Sequence, residues 1–101
     1  MRRAAKVDST QAEIVVAFRR RGAAVWSTAQ LGNGFPDLIV CIRAKSGLWR
    51  TLLVEVKDGS LSPSKRALTA DEARFHAFWP GELRIVGSAD EALALCHEMA
   101  E

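Results

Sequence analysis

A chain of 101 residues, 49% apolar and 26% charged, supports one small domain, residues 1–101, built around a single core. It has no run of about 18 apolar residues, and its basic start, MRRAAKVDS, lacks the apolar stretch of a secretory signal, so neither a spanning helix nor export is expected and a cytoplasmic location is. The net charge of +2 is uneven, with twelve Lys/Arg against five Asp/Glu in residues 1–66 and two against seven in residues 67–101, an asymmetry that suits a polyanionic partner or a solvated mixed surface.

Asp8 to Arg21 reads as a helix, with Asp8 as N-cap, Gln11 at N3 and Ile14, Ala17 and Phe18 at helical spacing. Ala23 to Gln30 reads as a strand, followed by a turn-rich break at Leu31 to Gly34. Asp37 to Arg43 and Leu48 to Lys57 read as two further strands. Lys45-Ser46-Gly47 between them suits a three-residue hairpin loop with Gly47 in the left-handed region. Asp58 to Leu68 is a loop. Thr69 to Trp79 is a helix that opens on the capping box TADE and stops at Pro80-Gly81. Leu83 to Val86 is a short strand, and Ser88 opens a last helix, again with a capping-box pattern, SADE, that runs to about Met99. The order αβββαβα predicts an α/β (α+β) fold with a mixed central sheet flanked by helices, its first three strands forming a meander. Cys41 and Cys96 lack metal-ligand spacing, sit in apolar patterns and read as reduced core residues.

The strand TLLVEVKDG carries Glu55 and Lys57 inside an apolar run, where each charge costs several kcal/mol to bury unless compensated. A hairpin loop centred on Ser46 opposes residues whose numbers sum to 92 and so sets Asp37 across from Glu55. Directly opposed side chains share a face, with roots about 5 Å apart, and Lys57 points to that face as well. Val54 and Val56 point to the other. Two carboxylates so placed repel each other unless a cation lies between them. With the Val56 backbone carbonyl as a third oxygen, they suit a hard divalent ion such as Mg²⁺. The alternative is a structural Glu55–Lys57 ion pair beside a solvated Asp37.

GFPDLIV (Gly34 to Val40), followed by EVK at Glu55 to Lys57, resembles the PD-(D/E)XK nuclease signature. The αβββαβ order resembles that superfamily's restriction-endonuclease-like core, here with an extra C-terminal helix. The G-x-PD form and the L-T-x-x start of the second helix are similar to small stand-alone VRR-NUC proteins, often phage-encoded. The resemblance covers roughly residues 9–87. It implies Mg²⁺- or Mn²⁺-dependent hydrolysis of DNA phosphodiester bonds, in a bacterial or phage-infected cell and as a homodimer. It makes Asp37 and Glu55 metal ligands and gives Lys57 the task of orienting water or stabilising the transition state. Glu13 matches the position of a further acidic residue in many members, or is an exposed helix charge. After L-T-x-x such members usually carry Gln, whereas this chain has Glu72, which its place in the capping box explains without catalysis.

Around this centre, Lys65, Arg66, Arg19, Arg20 and Gln30 are candidates for contacting DNA. His76 and His97 read as structural. Trp26, Trp49 and Trp79 read as core or interface residues rather than a base-stacking platform. So small a chain has little surface for reading sequence, and cutting of branched or junction DNA is the favoured activity. The alternatives are a nuclease-fold DNA-binding protein without hydrolysis and a small interaction module with a fortuitous motif.

Overall fold

The computed structural model describes residues 9–101. In chain order they form α1 (Ser9–Arg20), β1 (Ala24–Ser27), β2 (Leu38–Arg43), β3 (Trp49–Val56), α2 (Ala70–Phe78), β4 (Leu83–Val86) and α3 (Ala89–Met99), with short 3₁₀ turns at Ala29–Leu31 and Pro63–Arg66. The element order is the expected one. The N-cap assigned to Asp8 lies outside the described residues. β1 is shorter than expected because the chain turns after Ser27, and Gln30 falls in the 3₁₀ turn rather than in a strand.

The sheet has the order β1-β2-β3-β4, antiparallel across the first three strands and parallel between β3 and β4. The hairpin fixes the register of its centre. Gly47 takes φ +95°, Ala44 N donates to Leu48 O at 2.8 Å, and every β2–β3 pair from Leu38–Val54 to Arg43–Trp49 sums to 92.

The two faces of this sheet differ. On one, Leu38, Val40, Leu52, Val54 and Val86 pack against α1 and α3. Helical spacing explains the match: Ile14, Ala17 and Phe18 form the buried stripe of α1, and Ala92, Leu95, Cys96 and Met99 that of α3. Val56 joins this side. The other face carries Leu53 and Glu55, both buried, but also Trp26, Trp49 and Ile85, all exposed. Trp26 is 60% and Trp49 52% exposed, and Trp79, on α2, 39%, so none of the three tryptophans is a core residue. Cys41, on this face, is half-buried, and the core-cysteine assignment holds for Cys96 alone.

α2 lies over the Glu55 end of that second face with its polarity inverted. None of its residues is buried. Glu72 and His76 turn toward β3, as their contacts with Lys57 and Glu55 show, while Phe78 is 80% exposed. The capping box at Thr69 is complete, with each partner accepting from the other's backbone N–H. α3 starts differently: Ser88 caps Glu91 N, but Glu91 reaches back to Gly87 N rather than Ser88 N.

The loop before β2 is fastened to α2 in two ways. Phe35 packs edge-on against Phe75, 5.0 Å between ring centres, and Gly34 lies directly on the backbone of Asp71 and Glu72. Gly34 has φ +84°, and a Cβ there would run into the Asp71 carbonyl. Gly34→Ala is expected to cost about 1–3 kcal/mol in backbone strain alone, with the overlap added. A lowered urea midpoint for unfolding would show it, and an unchanged midpoint would show that loop and helix separate freely.

Candidate active site

The β2–β3 ladder ends at Leu38–Val54, and the way it ends builds the site. By register Val56 would pair next with residue 36, a proline, which has no N–H to give. The Val56 N–H is taken instead by the Asp37 carboxylate, with Oδ2 at 2.8 Å, and the Pro36 carbonyl accepts from Thr28 Oγ1 at 2.6 Å. The Val56 carbonyl therefore lacks its ladder donor. Asp37 is itself set by the sheet, since Thr28 N donates to its carbonyl at 2.8 Å.

Glu55 is 1% exposed, the one buried charged residue among those described. Burial, then the hydrogen bond and charge of Asp37, push its carboxyl up to about 9, with Glu72 adding to the rise and Lys57 opposing it. At neutral pH Glu55 therefore holds a proton. His76 Nε2 lies 3.3 Å from Glu55 Oε1, and burial pulls the imidazole below its ordinary value, although Glu72 opposes this. The contact is thus a hydrogen bond between neutral groups rather than an ion pair.

Lys57 does not pair with Glu55. Its Nζ sits 2.7 Å from Glu72 Oε1, which also accepts from Thr69 N at 2.9 Å. Partial burial would raise the Glu72 carboxyl, but the bonds from Lys57 and Thr69 outweigh it and hold the group below its usual value. Glu72 is thus both helix cap and anchor of Lys57, and a self-contained Glu55–Lys57 ion pair is ruled out by this geometry.

These groups open into a cleft of about 410 Å³ lined by Asp37, Glu55, Val56, Lys57, Asp58 and Glu72, with Ser9, Thr10, Gln11 and Leu61 around it. Asp58 accepts from the Ser60 hydroxyl and amide at 2.7 and 2.9 Å. Those two bonds, with a smaller contribution from Thr10, hold its carboxyl below the ordinary value.

Among the described residues, no three His, Cys, Asp or Glu side chains converge as a metal site. Glu72 is committed to Lys57. A divalent ion would instead find two carboxyls and one backbone carbonyl with no donor among the described residues, a hard oxygen set that leaves further positions for water. That donor set is of the kind that fits Mg²⁺ or Mn²⁺.

The remaining candidates are placed as follows. Glu13 does not line the cleft. It borders a separate groove between α1 and α3 with Arg20, Ala89 and Leu93, so its assignment as a further ligand has no geometric support. Arg19 donates to Val25 O at 2.9 Å and serves the α1–β1 junction. Gln30 is exposed in its turn. Lys65 and Arg66 are exposed on the 3₁₀ turn that follows the cleft strand, where Arg66 Nε donates to the carbonyl of the cleft residue Leu61 at 2.8 Å. Two residues at the site are missed by the sequence reading: His76, which reads there as structural, and Asp58, which reads only as part of a loop. His76 is signalled by its spacing of four from Glu72, which puts both on one helix face. Asp58 is signalled by its place directly after Lys57.

No family model, curated protein or solved structure matches this chain.

Proposed function

We propose that this chain is a divalent-metal-dependent nuclease of the PD-(D/E)XK type, similar to small VRR-NUC proteins. It would hydrolyse DNA phosphodiester bonds, with a preference for branched or junction DNA. The observation that carries the proposal is the buried Glu55 carboxyl set beside Asp37, with the Val56 carbonyl and Lys57 on the same cleft. A divalent ion bound there supplies an acidified water and draws charge from a phosphoryl oxygen. Asp37 and Glu55 would hold such an ion, and Glu55 would have to give up its proton to do so. Lys57 brings positive charge to the attacked phosphate. Glu72 aims the Lys57 ammonium, whose other two N–H donors have no partner among the described residues and would be available to phosphate oxygens. Two copies related by a two-fold axis would offer one cleft to each DNA strand.

One observation favours a second reading, a DNA-binding protein of this fold without hydrolysis. Glu72, where the resembling proteins carry Gln, already neutralises Lys57 at 2.7 Å. Turnover separates the two. The test is cleavage of labelled single strand, duplex, flap, splayed arm and four-way junction by wild type and Glu55→Gln, in Mg²⁺, Mn²⁺ or EDTA. Metal-dependent cutting that the variant lacks supports the nuclease. Binding without cutting of any substrate supports the second reading.

A further inference from the structure

The outer face of α2 holds a second pocket, about 300 Å³, lined by Asn33, Asp71, Arg74, Phe75, Phe78 and Trp79. Two of its three rings, Phe75 and Trp79, are held in place. Phe75 and Trp79 stack with centres 5.4 Å apart and planes 18° from parallel, Phe35 braces Phe75 edge-on, and Trp79 Nε1 donates to Glu82 O at 3.3 Å. Gly81 lies against the indole so closely that a Cβ there would touch it. Phe78 projects beside them, 80% exposed. A rigid aromatic surface left open to water is a binding feature rather than a packing one, and here it loses little conformational freedom on binding.

The polar groups narrow the occupant. The pocket's single cation, Arg74, is already paired with Asp71 at 2.8 Å, so the pocket is poorly suited to phosphate. The Asn33 side chain can both donate and accept at the edge of a planar ring. The volume suits one small flat group and is too small for a helix or strand of a partner. An uncharged heteroaromatic ring with hydrogen-bonding edges meets all these conditions, and a nucleobase is such a ring. The pocket also adjoins the cleft: Asp71 lines one and Glu72 the other, across a helix about 10 Å wide, roughly three duplex steps of 3.4 Å.

We propose that this pocket receives one unstacked nucleobase of the strand whose phosphate enters the cleft. The preferred substrate class then becomes nucleic acid with an unpaired stretch beside the cut, as at a splayed arm or flap. The cleft half of this inference rests on the nuclease reading, whereas base capture by α2 does not.

The test reads binding in EDTA, where no cleavage intervenes, by fluorescence anisotropy of a short labelled single strand. Phe78→Ala is expected to weaken binding roughly 5- to 150-fold, the equivalent of one lost base stack. Phe78→Trp should retain it, and blunt duplex should bind equally to wild type and variant. An abasic site walked along the splayed arm should cost wild type the same factor at one position and cost Phe78→Ala nothing further there. Equal binding of single strand by Phe78→Ala and wild type overturns the proposal. So does an abasic penalty that is uniform along the strand, or a Phe78→Ala variant whose one change is dissociation of a dimer in sedimentation. Base capture with no cutting in Mg²⁺ or Mn²⁺ would sink the nuclease reading and leave this one standing. Cutting that Phe78→Ala leaves unaltered on every substrate would do the reverse.

Discussion

Glu55→Gln is expected to abolish metal-dependent cleavage and, without metal, to leave the protein more stable than wild type at alkaline pH. Both effects come from one carboxyl. Its pKa is raised from 4.5 to about 9 in the folded chain, first by burial and then by Asp37. A raised folded-state value means that stability is complete below the unfolded value and is lost as pH rises toward the folded one. Metal-free wild type should therefore weaken steadily between about pH 5 and pH 9. His76 acts in the opposite sense below its unfolded value of 6.5, because its folded pKa is lowered. From pH 7 to 9 the loss comes chiefly from Glu55, with the Cys96 thiol, pushed up by burial, adding to it at the upper end, so the difference between wild type and Glu55→Gln is what isolates Glu55. Over that window the loss is on the order of a few kcal/mol, which for a domain this small moves the melting temperature by ten degrees or so. Gln is neutral at every pH, so the variant should show a flatter profile than wild type, keeping only the Cys96 contribution near pH 9. Thermal unfolding in EDTA at pH 7, 8 and 9 measures it, and parallel profiles for wild type and variant would remove Glu55 from the interior. Added Mg²⁺ or Mn²⁺ should raise the melting temperature of wild type but not of the variant, since an ion that binds the folded state alone stabilises it.

Lys57→Ala is expected to lower turnover roughly 10²- to 10³-fold, the usual cost of removing one charge-stabilising donor, while substrate binding changes little. Its structural cost is smaller. The ammonium and its Glu72 partner are both partly exposed, so the loss is about 1 kcal/mol at most, and Thr69 keeps Glu72 in its capping role. Single-turnover cleavage with saturating enzyme separates the two effects. A rate within a few-fold of wild type would mean that Lys57 serves only to hold Glu72, and would turn attention to the non-hydrolytic reading. Glu72→Gln is the companion variant. Gln fills the same place in a capping box, so the helix should survive, and Lys57 would be released from its counter-charge.

The sheet centre was legible because one feature determined it. A short loop with Gly47 in the left-handed region sets the hairpin register, and the register alone sets Asp37 and Glu55 at adjoining positions on one face. The helical stripe of α1 was legible for a similar reason, being apolar at spacings of three and four. α2 was not, because reading its burial from pattern assumes that apolar residues turn inward. Here Phe75, Phe78 and Trp79 line an open pocket, and Glu72 and His76 face the sheet. That inversion made His76 read as merely structural and Trp79 as a core or interface residue. Glu13 was misplaced because a helix seen alone does not declare which flank of its apolar stripe meets the cleft and which meets α3.

Pro36 gives the cleft one fixed element among conditional ones. The carboxyls there depend on solvent conditions: Glu55 must shed a proton, and Lys57 and Glu72 hold each other through an attraction that salt weakens. The Val56 carbonyl depends on none of these. It lacks a ladder partner because the residue across from it is an imino acid, a covalent fact that neither pH, ionic strength nor thermal motion alters. If the cleft holds the ion proposed above, one of its oxygens is therefore set whenever the sheet is folded, and acidity decides when the Glu55 carboxylate joins it.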